Sequence, residues 1–436
     1  MLLLAAILGL AVMTGINLRV GRSILYPPAL FCAVWSTLLA ALLLCGDKFF
    51  PVSAQALMIY LAGAAAFSIG GALRGVSGGL VPAPRRGARS NESRILRRWL
   101  VLMCAALVVC FPFYWEYLKA IAATVRMADF WWAMRAGTIA QGELSGAKDA
   151  SALFYDNLAI LAIFAALTAV AHQGENRIRR WHAVALITLG LAYNLATASR
   201  SGGMLLVVAA VGITLIRGRS FRFRTVLILT LGFCIVFVPA AVLMKKGGDP
   251  NGGFLDNVVS ISDMVILYAV GPIVAFDMYL QSPASVDATW TIYRVYLQTM
   301  NRLGANVTVP SLHTGYVMVA PGKFTNVYTF YFSYFPSFGI LGVVILTAVI
   351  GYGLAALYSS ARTGRRTAVF FYGIGFYQIC VTGFNEGFLL GANMWLKAAL
   401  YCFFLYRILP LMRRRESSNW IGGPFALEGR PTRHCK

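Results

Sequence analysis

The chain has 436 residues, 59% hydrophobic and 12% charged, with a formal net charge of +22. A soluble domain carries about 25% charged residues, and here apolar runs recur from end to end, which excludes a soluble enzyme with a single attached anchor. The pattern predicts one all-α, polytopic integral membrane domain.

In chain order, apolar runs fall at 1–16, 29–45, 54–73, 99–115, 153–171, 182–197, 203–216, 225–244, 338–358, 367–383 and 393–411, which predicts about eleven transmembrane helices. The first run lacks a basic segment before it and is followed by Arg19 and Arg22, so it reads as a span and not as a signal peptide. Assigning the connections alternately to two sides places about 26 basic and 4 acidic residues on one side, and about 12 of each on the other. The whole net charge therefore sits on one face. That face is expected to be cytoplasmic and to include the C-terminus and the basic tail 412–436, with the N-terminus on the far, periplasmic side of a bacterial inner membrane. Arginines distributed this way set topology and meet anionic lipid headgroups, so nucleic acid is not an expected partner.

The connections differ in character. Segment 74–98 is basic and rich in Gly, Pro and Ser, the composition of a linker. On the far side, 116–152 carries the aromatic cluster Met127-Ala-Asp-Phe-Trp-Trp-Ala-Met134, suited to a membrane interface. The large loop 245–336 is far longer than a connector and is expected to carry function. Within it, 257–280 is apolar but interrupted by Asp263, Gly271-Pro272 and Asp277. A helix lying on the membrane or partly re-entrant is expected there, because a further span would put Arg413, Arg414 and Arg415 on the wrong side.

Several chemistries lack their residues. No GxxxxGK[ST] motif is present for ATP binding. Seven of the eight cysteines fall in or at apolar runs and Cys435 lies in the tail, with no CxxC pair. His172, His182, His313 and His434 are scattered, and only His313 is on the far side. A reaction on that side is expected to need no metal or other cofactor and to draw its energy from a substrate already activated in the membrane.

Candidate groups do exist on the far side. Thr197-Ala-Ser-Arg-Ser-Gly-Gly203 joins two runs, with Arg200 at the start of a helix. Small residues, free backbone N–H groups and a guanidinium suit a phosphate or pyrophosphate, with Ser199 and Ser201 as flanking donors. Arg294 and Arg302 add cations in the large loop, and Tyr296 beside Arg294 suits a sugar ring. His313 and Glu386 are candidate general bases, Glu386 in a short turn expected to be solvated or paired with an arginine. Asn326 and Tyr328 are placed to line a glycan groove.

Two stretches, Asn194-Leu-Ala-Thr-Ala-Ser-Arg-Ser-Gly-Gly-Met204 and Thr325-Asn-Val-Tyr-Thr-Phe-Tyr-Phe-Ser-Tyr-Phe-Pro-Ser-Phe-Gly-Ile-Leu-Gly342, on either side of a large loop, resemble the O-antigen polymerase family, the Wzy-type oligosaccharide repeat-unit polymerases. The resemblance implies a metal-independent glycosyltransferase of C-type membrane fold. It joins repeat units carried on undecaprenyl pyrophosphate into O-antigen or a related polysaccharide, and a chain-length regulator is a possible partner beside the lipid-linked glycan and membrane lipids. It places the phosphate-facing arginine at Arg200 and assigns loop arginines to Arg294 and Arg302. The related O-antigen ligases carry a His-Asn pair before the late span. This chain has Thr325-Asn326 there, which disfavours a ligase. A transporter or flippase would want ionisable residues within its spans, and these spans are nearly free of charge between their ends.

Overall fold

The computed structural model describes residues 1–77, 90–125, 127, 129–143, 150–173, 178–197, 200–218, 254–283, 291–310 and 315–410. The run 225–244, His313, Ser199 and the tail 412–436 lie outside these residues, as does the side chain of Arg302.

The described helices are α1 (Leu2–Gly21), α2 (Pro27–Cys45), α3 (Ala54–Ser77), α4 (Ser90–Thr124), α5 (Phe130–Glu143), α6 (Ala150–Ala171), α7 (Arg180–Ala196), α8 (Arg200–Ile216), α9 (Phe254–Gln281), α10 (Arg294–Arg302), α11 (Phe335–Arg362), α12 (Arg366–Cys380) and α13 (Ala392–Phe403), the last running into a π-helical turn over Phe404–Ile408. An antiparallel hairpin, β1 (Val317–Ala320) with β2 (Lys323–Thr325), interrupts the large loop. The expectation of an all-helical chain is thus corrected by one small sheet. Seven helices among the described residues are long and apolar enough to cross a membrane: the segments Leu2–Gly21, Pro27–Lys48, Ala54–Arg74, Arg94–Thr124, Leu153–Ala171, Ser262–Gln281 and Phe335–Arg362. The protein is mostly helical and membrane-embedded. In hydrocarbon a helix satisfies its own backbone, which is why apolar runs of this length fold no other way.

Ordered contacts separate the bundle into two ends. At the basic end, Arg217 donates to the carbonyl oxygens of Val170 (3.3 Å), Ala171 and Gln173 (3.2 Å), capping the C-terminus of α6. His172, buried, meets the Tyr406 hydroxyl at 2.8 Å on the same side, and the Tyr372 hydroxyl donates to the Leu25 carbonyl. At the opposite end, Phe50 N–H donates to Val319 O (3.0 Å) and Phe330 N–H to Thr382 O (2.9 Å). These contacts mark the two ends between which the arginines predict that the helices alternate.

α9 departs from that alternation. Asp263 near its start pairs with Lys48 (3.5 Å) and Lys323 (3.7 Å), while Asp277, fourteen residues on, accepts from Ser53. Lys48 and Ser53 flank one short connection between α2 and α3. A helix rises 1.5 Å per residue, so the two aspartates stand about 21 Å apart along α9. Both nevertheless reach the same end of the bundle. α9 is apolar enough to span by composition, yet Asp263 near its start and Asp277 near its end both meet residues flanking the α2–α3 connection.

Two apolar cores result. One joins α4 to α8 with α12 and α13; the other joins α1 to α3 with α9, the hairpin, residues 328–334 and α11. The α3–α11 contact is close: a methyl group added at Gly70 would strike the carbonyl of Ala348, and one at Gly351 that of Phe67. This is small-residue packing, the usual substitute in lipid for a hydrophobic drive between helices. At the head of α11, Gly339 holds φ 60°, ψ −157°, a conformation other residues avoid, and it breaks the helix after its first turn. Gly70→Ala or Gly351→Ala should therefore destabilise the detergent-solubilised protein by about 1–3 kcal/mol, seen as a lower melting temperature. Gly353→Ala, where an added methyl meets nothing within 4 Å, should not.

Candidate functional site

α8 begins at Arg200, half-buried at the opposite end. Its guanidinium lies 5.6 Å from the ring centre of Tyr268 and directs Nη1 toward the Met264 sulfur at 3.8 Å, both on α9. α9 thus roofs the start of α8. The Tyr377 hydroxyl donates to the Ser201 carbonyl (3.3 Å) and fixes this turn to α12, while the side chain of Ser201 is exposed. The glycine beside them has a different use from the one expected. A methyl on Gly202 would collide with Asn194 Oδ1, so the missing side chain makes room for Asn194 and not for an anion. Asn194 itself is buried and bonds back to Gly190 O at 2.7 Å.

Beside Arg200 opens a cleft of about 360 Å³ between α4, α5, α6, α7 and α8. Its polar lining includes Tyr117, Arg135, Thr138, Asp156, Asn194 and Thr197. Arg135 comes from α5, the helix built on the aromatic cluster, which is held to α4 by Trp115 against Phe130 and Trp131 (5.9 Å each). Burial first, and then the charge of Arg200 nearby, hold the Arg135 guanidinium below the usual arginine range. Asp156, exposed in the first turns of α6, accepts from the Tyr117 hydroxyl at 3.3 Å and is the one carboxylate among the cleft's described lining.

Arg135 and Asp156 were not singled out in the sequence. The signal for Arg135 was available: it is an arginine on the side from which the charge bias removes arginines, the same argument that marked Arg200. Asp156 sits at the head of an apolar run and carries no local signature.

The remaining candidates lie elsewhere. Arg294 is buried and donates to the Pro310 carbonyl, tying α10 to the loop that follows it, away from the cleft's described lining. Tyr296, two residues on, is exposed, and Asn326 is half-buried. Tyr328 is buried and stacks on Phe332 at 3.9 Å, which corrects its reading as a groove-lining residue. Among the described residues, no three His, Cys, Asp or Glu side chains gather as metal ligands.

Glu386 is the plainest correction. The turn expected to be solvated is closed, and its side chain is 4% exposed. The carboxylate accepts from the backbone N–H of Phe388 (2.7 Å), Leu389 (2.9 Å) and Leu390 (2.6 Å), and from the Tyr334 hydroxyl (2.7 Å). It pins the chain ahead of α13 to the start of α11. Burial raises its pKa above the usual carboxylate value, opposed by the donated hydrogen bonds. With its oxygens engaged by protein donors it organises the loop and has no lone pair facing a substrate. Glu386→Ala, which strands these donors, should cost about 2–4 kcal/mol of stability. Glu386→Gln should lower the yield of folded protein while leaving activity per folded molecule within about threefold; a loss of about 10²-fold or more would restore it as a base.

Compared with known proteins, the chain matches no family model, no curated protein and no solved structure.

Proposed function

We propose that the chain is a bacterial inner-membrane polymerase that joins oligosaccharide repeat units carried on undecaprenyl pyrophosphate, working on the periplasmic face. One observation carries this: Arg135 and Asp156 line one cleft with the first turn of α8, the turn that Arg200 begins, and Arg200 is near enough for its charge to act on Arg135. The resemblance of the 194–204 and 325–342 stretches to O-antigen polymerases supports the same class of reaction. In this account the chain crosses the membrane eleven times, the short helices α7, α8, α12 and α13 and the run 225–244 included, and its fold is of the C-type glycosyltransferase kind.

The chemistry follows from the groups present. The donor glycan is bonded through its anomeric carbon to pyrophosphate, already a good leaving group. A hydroxyl of the acceptor repeat unit attacks that carbon, the C–O bond to pyrophosphate breaks, and the electron pair leaves with the phosphate. Arg200 and Arg135 neutralise the charge that grows on the departing oxygen, which matters more in a cleft partly shielded from water. Asp156, hydrogen-bonded to Tyr117, takes the proton from the attacking hydroxyl. The polyprenyl tail stays among the helices while sugars and pyrophosphate occupy the end covered by α9.

In a strain lacking this gene, lipid-linked glycan should consist of single repeat units without a ladder, and the wild-type gene should restore the ladder. Arg200→Ala and Arg135→Ala should each leave a membrane-inserted protein that makes no ladder, and Asp156→Asn should slow chain growth by about 10²–10⁴-fold. Long chains stranded on the carrier would instead indicate a ligase. Single units trapped on the cytoplasmic leaflet would indicate a flippase.

A further inference from the structure

The helix α10 carries its polarity inside out. Arg294, Gln298 and Asn301, spaced i, i+4 and i+7, share the face turned to the protein, where Arg294 is buried and the other two are half-buried. Asn301 Oδ1 accepts from the Val307 N–H at 3.0 Å. The opposite face carries Tyr296, Met300 and Leu303, again spaced i, i+4 and i+7, and these are 59%, 48% and 82% exposed. Thr299 lies among them, and its hydroxyl turns back to the Val295 carbonyl at 2.8 Å. A helix on a water-facing surface shows the reverse order, with its apolar residues against the protein.

The backbone at the end of α10 closes on itself. Gly304, at φ 95°, takes the left-handed conformation, and the N–H groups of Gly304 and Ala305 return to the carbonyls of Asn301 (3.1 Å) and Met300 (3.0 Å). Such an ending leaves little backbone for water to answer. The neighbouring surface is apolar as well. Tyr293, immediately before α10, packs edge-to-face on Phe338 with ring centres 6.1 Å apart. Phe338 stands at the head of a stripe on α11 continued by Leu341, Ile345 and Val349, all exposed on a helix long and apolar enough to cross a membrane. Exposed apolar side chains on such a span meet lipid. α10 therefore adjoins the head of a lipid-facing surface, at the end of α11 opposite Arg362.

We propose that α10 lies in the plane of the membrane, with Tyr296, Met300 and Leu303 inserted at the boundary between headgroups and acyl chains of the leaflet on the large-loop side. Lipid is the occupant this face calls for, because it continues the apolar stripe of α11 and its exposed side chains carry no charge. The Tyr296 hydroxyl stays among the headgroups while its ring is covered. Tyr296 thus gains a lipid neighbour in place of the sugar ring expected from the sequence. Through the Arg294 contact to Pro310, the inserted helix holds the following loop at the membrane surface. The inference does not depend on the polymerase assignment, because it uses only the polarity of α10 and the lipid-facing side of α11.

The test places the purified full chain in vesicles of phosphatidylethanolamine and phosphatidylglycerol and maps two modifications by mass spectrometry. One reagent is an apolar aryl diazirine that partitions into the bilayer; the other is hydroxyl radical generated in the water. Tyr296, Met300 and Leu303 should take up the diazirine to within about threefold of Ile345 and Val349 on the span. In Met300→Asp, which puts a charge on the inserted face, the diazirine yield at Tyr296 should fall about threefold or more while that at Ile345 stays unchanged. The wild-type map decides by itself where that variant does not fold. A lower diazirine yield at α10 of the wild type overturns the proposal, and oxidation then assigns the reason. Rapid oxidation of Tyr296 and Met300 would place the face in water. Protection from both reagents would place it against protein, either another segment of this chain or a second copy.

Discussion

Backbone immersed in hydrocarbon must satisfy its polar groups within its own helices, and this constraint places nearly everything else in the molecule. Irregular backbone gathers where water or protein can answer it: the connection 46–53, the β-hairpin, residues 326–334 and the turn around Glu386 all meet at one end. The other end is basic, with Arg217 answering helix carbonyls at the end of α6. A protein built under this rule has one end available for elaborate polar chemistry, and the cleft with Arg135, Asp156 and Arg200 beside it is found there.

α9 turns that end into a site. It is pinned at two places to the α2–α3 connection through Asp263 and Asp277, and it lays Met264 and Tyr268 against Arg200. By packing with the core of α1 to α3 while reaching the head of α8, it links the two sub-bundles. An aromatic and a thioether contact from α9 meet the Arg200 guanidinium. Asp263 answers Lys48 and Lys323.

Much of the fold was legible in the sequence because lipid makes the code simple: long apolar runs are helices, and arginine counts assign their ends. For α9 the two signals differ: the charge rule argues against a span, while length and hydropathy count it as one. Arg200 was legible as an outward arginine at a helix start. What could not be read were the long-range pairings. Glu386 looked like a solvated acid because its donors include Tyr334, fifty-two residues earlier. Arg294 looked like a free loop cation because its partner is the carbonyl of Pro310. Gly202 looked like part of an anion cradle because Asn194, which occupies the space, belongs to the preceding helix. Asp156 was missed because its meaning depends on Tyr117 from another helix. In each case a local pattern was read correctly as to residue type, and a distant neighbour decided its use.

The most direct measurement is reconstitution of the purified chain in a lipid bilayer with an undecaprenyl-pyrophosphate-linked repeat unit as the only substrate and no nucleotide present. Formation of a glycan ladder together with one undecaprenyl pyrophosphate released for each bond formed is the result this account predicts. Intact repeat units with no released carrier, from protein that is folded and supplied with the glycan of its own source, would contradict it.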